Sequence, residues 1–175
     1  PFLIVQLPGW ESWFGFVNEG FHVIRQCQQA VADADANIYL CSISDAGERL
    51  DIHPKDKKVV GERLALLALG HIYGRDILCD PPRLKNVFRD GERIIFTFTG
   101  AGTGLCMKDE KIAALEIRNS RGPVAYSAYI DGSTIVVTLP ENTGKVTVDF
   151  ARTPWYLVNL YNSAGLPAIP FSVEC

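Results

Sequence analysis

The sequence lacks the features that mark several large classes of protein. It has no cluster of lysine and arginine, and its net charge is −3, which argues against a surface for nucleic acid or anionic membrane. No apolar run reaches the length of about 18 residues typical of a transmembrane helix. The glycine-rich stretch at 100–104 precedes no helix and is therefore neither a P-loop nor a dinucleotide fingerprint. The composition, with 47% hydrophobic and 21% charged residues, is typical of a folded protein.

Cysteine motifs are also missing. The five cysteines, at positions 27, 41, 79, 106 and 175, form no C-x-x-C pair and no cluster with histidine. This spacing predicts no metal site built on cysteine, and the odd number argues against a complete disulfide framework. Cys27 and Cys41 lie in apolar surroundings, so we expect both to be small core residues.

The first half of the chain has the pattern of an α/β fold. Phe2–Gln6 and the stretch NIYLCSIS have the composition of buried strands. A helix is predicted at 19–34 and a second from Pro54, whose missing N–H suits a first helical position. Gly74 fits the end of that second helix. Strand, helix, strand and helix in this order predict a parallel sheet.

The second half has a different pattern. The double proline at 81–82 ends any helix and is typical of a linker. Short alternating runs separated by turn residues follow it and predict an antiparallel β-sandwich. The predicted domains are therefore residues 1–78 and 79–175.

The first half is small for an independent domain. Two parallel strands and two helices leave apolar surface and a sheet edge uncovered. The sequence also begins PFLIVQ, without methionine and inside a predicted strand. We therefore expect the chain to be part of a longer protein.

Candidate chemistry lies after the second strand, because ligands of parallel α/β sheets bind beyond the carboxyl ends of the strands. Asp45, Glu48, Asp51 and His53 all follow NIYLCSIS. His53 is placed to act as a base, with Asp51 holding its other ring nitrogen. In the alternative interpretation, Asp51 caps the following helix and His53 is an ordinary surface residue.

Two stretches resemble those of sialate O-acetylesterases, the SGNH-type carbohydrate esterases. DIHPKDKKVVGERLALLALGHIYG is similar to the segment that supplies their catalytic histidine, and NLYNSAGLPAIPF is similar to their closing signature. The stretches VIRQCQQAV, GTGLCMKD and PWYLVNLYN extend the resemblance over nearly the whole chain. It implies the C-terminal piece of a flavodoxin-like, three-layer esterase domain, followed by the β-sandwich.

The resemblance also implies a function, the hydrolysis of acetyl esters on sialic acid or a related sugar by a serine nucleophile without a metal or organic cofactor. His53 matches the base of the family, and Asp51 is the candidate acid. Many of these enzymes have their acid three residues before the histidine, where this chain has Leu50, and ERL replaces their usual Glu-Trp-Asn. The nucleophilic turn and the oxyanion segment of the family have no counterpart here. We therefore expect the serine to come from the N-terminal remainder of the same protein.

Other residues carry weaker predictions. Gln6 ends the first strand and, with Trp10, is a candidate for substrate binding. Trp13, Phe14 and Phe16 suit either a sugar platform or packing against a neighbour. The rival function is a non-catalytic carbohydrate-binding or structural sandwich. The resemblance favours a secreted, periplasmic or lysosomal location over the cytoplasm.

Overall fold

The computed structural model describes all 175 residues. The helices are α1 (Phe21–Ala34) and α2 (Lys57–Leu67), and α2 continues into a π-helical turn (Ala68–Ile72). Neither helix combines the length and apolarity needed to cross a bilayer. The strands are β1 (Phe2–Val5), β2 (Ser12–Trp13), β3 (Phe16–Val17), β4 (Ile38–Cys41), β5 (Arg83–Asp90), β6 (Arg93–Thr99), β7 (Leu105–Met107), β8 (Leu115–Asn119), β9 (Gly122–Pro123), β10 (Ser127–Asp131), β11 (Thr134–Thr138), β12 (Thr147–Phe150), β13 (Leu160–Asn162) and β14 (Phe171–Glu174).

The first half forms a three-layer α/β unit around two strands. β1 and β4 pair in parallel, with Phe2 opposite Ile38 and Val5 opposite Cys41, as predicted. Alternate residues of a strand point to opposite faces of the sheet. One set packs against α1 and the other against α2, so the two helices cover opposite faces.

The helix after the candidate histidine begins later than predicted. α2 starts at Lys57 rather than at Pro54, because the Asp56 carboxylate accepts a hydrogen bond from the Val59 N–H at 3.2 Å and caps the helix. Asp51 therefore does not cap this helix. Gly74 follows the π-helical turn with φ +65°, as expected for a glycine after a helix end.

The second half is the predicted antiparallel β-sandwich. One sheet has the strand order β10-β11-β6-β5, the other has the order β14-β12-β8-β9, and β13 pairs with β7. A core of 19 buried residues lies between the sheets. The double proline leads directly into the sandwich, since β5 begins immediately after Pro82.

The first half has much less core of its own. Its two buried clusters hold three residues each, and one of them includes Ile169 from the far end of the chain. β1 has a single neighbour, and its first residue, Phe2, is exposed, as are Val23 and Val31 on α1. The expectation of uncovered apolar surface is confirmed, whereas the expectation that β1 is fully buried is wrong.

Buried polar contacts hold the two halves together. Arg25 of α1 is almost fully buried; its guanidinium donates to the carbonyls of Pro8 (3.1 Å) and Thr153 (2.6 Å) and lies 4.7 Å from the centre of the Tyr156 ring. The Ser44 hydroxyl, just after the second parallel strand, donates to the carbonyl of Ala168 at 3.1 Å. The predicted domain boundary near residue 78 therefore stays a prediction. These contacts join the parts of the chain on its two sides.

The cysteines differ in burial, so their reactivity tests how the chain is packed. Cys41 is buried, and burial raises the pKa of its thiol to about 11, whereas Cys27 and Cys106 are exposed. The prediction that Cys27 is a core residue is therefore wrong. We expect iodoacetamide at about pH 8 to label Cys27 and Cys106 in the native chain and to leave Cys41 unmodified, because only the thiolate reacts. Peptide mass spectrometry measures the labelling, and equal rates for Cys41 and Cys27 would contradict the described core.

Candidate active site

The candidate site lies in the loop between β4 and α2, at the carboxyl end of the parallel pair. The loop runs from residue 42 to residue 56 and carries Asp45, Glu48, Asp51 and His53. Glu48 and Asp51 form an antiparallel bridge within it. This is the edge at which open α/β sheets bind their ligands.

A buried ion pair fixes the start of this loop to the helix that follows it. Both guanidinium nitrogens of Arg63, on α2, donate to the Asp45 carboxylate, at 2.6 and 2.8 Å. Arg63 also donates to the carbonyl of Ser42 at 3.0 Å. Only 9% of the Arg63 side chain and 15% of the Asp45 side chain are exposed. The geometry is the two-point contact of arginine with carboxylate.

The middle of the loop is fastened to the β2–β3 hairpin. The backbone N–H groups of Glu11 and Ser12 both donate to the Arg49 carbonyl, at 2.8 and 3.3 Å. Close backbone contact explains a glycine here, since a Cβ on Gly47 would lie 2.2 Å from the Gly9 carbonyl oxygen. The loop that carries His53 is therefore held on two sides.

Asp51 and His53 form a pair at the surface of this loop. The Asp51 carboxylate lies 3.0 Å from His53 Nδ1 and accepts the His53 backbone N–H at 2.9 Å. That backbone hydrogen bond is the main reason that the pKa of Asp51 lies below its usual range, so the carboxylate is charged at neutral pH. A charged Asp51 favours the His53 tautomer that carries its proton on Nδ1, and in that tautomer Nε2 has a free lone pair. The His53 side chain is 65% exposed, and Nε2 makes no hydrogen bond within the chain.

The β2–β3 hairpin brings one aromatic ring against the histidine and a second against the first. The ring of Trp13 meets the ring of His53 edge to face, with centroids 4.9 Å apart, and Phe14 packs 4.8 Å from Trp13. Phe14 and Gly15 form the turn with φ of +46° and +83°, both positive, as in a type I′ hairpin. The turn leaves Phe14 exposed beside Trp13.

The other predicted binding residues are buried. Gln6 is 2% exposed and its amide donates to the Arg25 carbonyl. Trp10 is 5% exposed, and its ring packs against Phe21 at 5.3 Å. Their contact with substrate stays a prediction, and their packing within the chain disfavours it. Sequence patterns could not separate Trp10 from Trp13, since both lie in the same aromatic stretch.

No serine in the chain is within hydrogen-bonding distance of His53. The two that follow β4, Ser42 and Ser44, are buried and bonded to each other at 3.2 Å, and Ser44 also donates to the Ala168 carbonyl. The 175 residues therefore hold an exposed base and its carboxylate partner, without a serine positioned to give up its proton.

Sequence reasoning missed the Arg63–Asp45 pair. The signal was present: Arg63 lies among Val60, Leu64 and Leu67 on the apolar side of α2. A charged residue in that position needs a buried partner, and Asp45 is the acidic residue nearest the strand end.

Comparison with known proteins places this site in context. No protein-family model matches the sequence, and no curated protein matches it. The structure is similar to that of a carbohydrate acetylesterase from Xanthomonas citri, with a TM-score of 0.84 and 28% sequence identity. The similarity covers 99% of this chain and 41% of that one, so the 175 residues span about two fifths of the length of that enzyme.

Proposed function

We propose that this chain supplies the general base of a serine-type carbohydrate acetylesterase. The observation that carries the proposal is the Asp51–His53 pair, exposed on a braced loop at the carboxyl end of a parallel strand. The similarity to the Xanthomonas citri acetylesterase over almost the whole chain supports the same class of reaction.

The chemistry follows from the free Nε2 of His53. Nε2 accepts the proton of a serine hydroxyl as that oxygen attacks the acetyl carbonyl carbon. Asp51 accepts the Nδ1–H and stabilises the imidazolium that forms. The imidazolium then gives its proton to the departing sugar oxygen as the ester bond breaks. In the second step His53 takes a proton from water, which attacks the acetyl-serine, and acetate leaves as the proton returns to the serine oxygen.

In this proposal, the nucleophilic serine lies in a part of the protein outside these 175 residues. The three-layer packing around β1 and β4 is what a flavodoxin-like SGNH domain would have at its last strand and helix. Additional strands beside β1 would carry the serine turn and the oxyanion donors. The substrate is an acetyl ester of a sialic acid or of a plant-polysaccharide sugar, in line with the Ile-His-Pro resemblance.

Trp13 and Phe14 are the candidates for substrate contact. The Trp13 ring contacts His53, and Phe14 packs against Trp13 and is open to solvent, so a sugar placed with its acetyl group at His53 would extend toward these two rings. Aromatic rings offer an apolar face for the C–H surface of a sugar. Trp10 and Gln6 rank below them because both are buried.

The proposal predicts the activity of the isolated chain. We expect the 175 residues alone to hydrolyse an aryl acetate no faster than free imidazole at equal concentration, because no nucleophile or oxyanion donor is present. Loss of such groups costs about 10²- to 10⁶-fold in kcat. A spectrophotometric assay of aryl alcohol release measures it. Turnover that depends on His53 in the isolated chain would overturn the division of the site between two parts of a protein.

The rival function is carbohydrate binding by the sandwich without catalysis. Its support is a surface pocket of about 450 Å³ lined by Ile112, Val124 and Tyr126. Acetate release by the full-length gene product distinguishes the two: the esterase releases acetate from an acetylated sugar, whereas a binding module holds that sugar unchanged and loses affinity in Tyr126→Ala.

A further inference from the structure

A second group of reactive side chains lies at the opposite end of the sheet from His53. His71, in the π-helical turn, and Cys79 and Asp80, in the loop before β5, have donor atoms that all lie within 4.8 Å of one another. His71 Nε2 is 2.9 Å from the Asp80 carboxylate. The His71 ring stacks on Tyr39 near the amino end of β4, with centroids 3.9 Å apart, whereas His53 follows the carboxyl end.

Two unusual local structures bring these residues together. The helix widens into a π-helical turn at Ala68–Ile72, a rare form that is frequent at functional sites. The Cys79 sulfur approaches this turn at Gly70, where a Cβ would lie only 2.3 Å from it. Any other residue at position 70 would push the sulfur away from His71. The group is therefore a product of tertiary packing, since seven residues separate His71 from Cys79.

We propose that His71, Cys79 and Asp80 form a zinc site with one position left for water. Zinc prefers an imidazole nitrogen, a thiolate and a carboxylate oxygen, bound at about 2.0–2.3 Å in a tetrahedron. Such bonds bring the donor atoms to within about 4 Å of one another, so the group needs only a small contraction. Mg²⁺ and Ca²⁺ select oxygen ligands and do not suit sulfur and nitrogen.

The site is open to an ion from solvent, and binding of that ion would have a structural consequence. The three residues line a surface pocket of about 350 Å³, through which an ion reaches the buried sulfur. The Asp80 carbonyl accepts the Asn162 amide, so the metal would join the end of the α2 helix to the segment that leads into the sandwich. The role is stabilisation of this junction, separate from the chemistry at His53.

Cobalt titration of the metal-free chain tests the proposal, because Co²⁺ reports thiolate ligands by a charge-transfer absorption. We expect one equivalent of Co²⁺ to give that band and tetrahedral visible bands, and Zn²⁺ to displace it. Cys79→Ser should lose the charge-transfer band, while the matched control Cys106→Ser keeps it. His71→Gln should weaken binding by at least about tenfold. Zn²⁺ should also raise the melting temperature of the wild-type chain and leave that of Cys79→Ser unchanged.

Two results would overturn the site. The first is a wild-type titration without a thiolate band, which needs no variant and would leave His71 and Asp80 as a simple ion pair beside a core cysteine. The second is a band that survives in Cys79→Ser with wild-type circular dichroism, which would place the metal elsewhere.

Discussion

Replacing His53 with alanine is expected to lower kcat/KM for acetyl-ester hydrolysis by the full-length gene product by about 10³-fold or more. In the proposed mechanism, the variant loses the group that takes the serine proton and returns it to the leaving sugar. The His53 side chain is largely exposed, and its ring contacts that of Trp13. We therefore expect the melting temperature to change little. Acetate release from an acetylated sugar, measured with a coupled assay, gives the rate.

Two further variants are needed to interpret this result. His22→Ala makes the same change on α1, outside the β4–α2 loop, and should keep full activity. Asp51→Asn should lower kcat by less than His53→Ala and leave KM nearly unchanged, because Asp51 acts through the ring of His53. An active His53→Ala enzyme would assign the base to another residue.

Removing the carboxylate of Asp45 is expected to destabilise the chain by about 3–5 kcal/mol. Asp45→Ala leaves the Arg63 guanidinium buried, with 9% of its side chain exposed, and without its two charge-assisted hydrogen bonds. An uncompensated charge in that position costs far more than the pair itself contributes. Urea unfolding followed by circular dichroism measures the free energy of unfolding.

The same type of pair at the surface provides the control. Glu11 and Arg49 form an ion pair whose side chains are 43% and 62% exposed, so Glu11→Ala should destabilise the chain far less than Asp45→Ala does. Equal costs for the two variants would show that the Arg63–Asp45 pair does not brace the loop that carries His53.

The fold was predictable where the same spacing of apolar residues extends through a whole strand or helix. Ile135, Val137 and Leu139 alternate with residues that face away from the sandwich core, and β11 and its neighbours follow that pattern. The start of α2 was not predictable from Pro54 alone, because Asp56 competes as a cap. The burial of β1 was overestimated because its sequence matches a central strand, while the structure gives it one neighbour.

The site was predictable to the extent that it is local. Asp51 and His53 are two residues apart, so their contact depends only on the loop between them. Trp13 reaches His53 through a hairpin turn that forces Phe14 to a positive φ, which a list of aromatic residues does not indicate. The prediction of no metal site built on cysteine rested on spacing along the chain and stays a prediction; that spacing does not indicate a π-helical turn that brings His71 close to Cys79.

Labelling of the full-length gene product with a fluorophosphonate, followed by peptide mass spectrometry, tests the central claim most directly. This reagent bonds to a serine oxygen that a neighbouring base has activated. The account predicts an adduct on one serine outside the 175 residues, formed at least about 10²-fold more slowly in His53→Ala and at the wild-type rate in His22→Ala. An adduct on a serine within these residues, or a labelling rate that does not depend on His53, would contradict it.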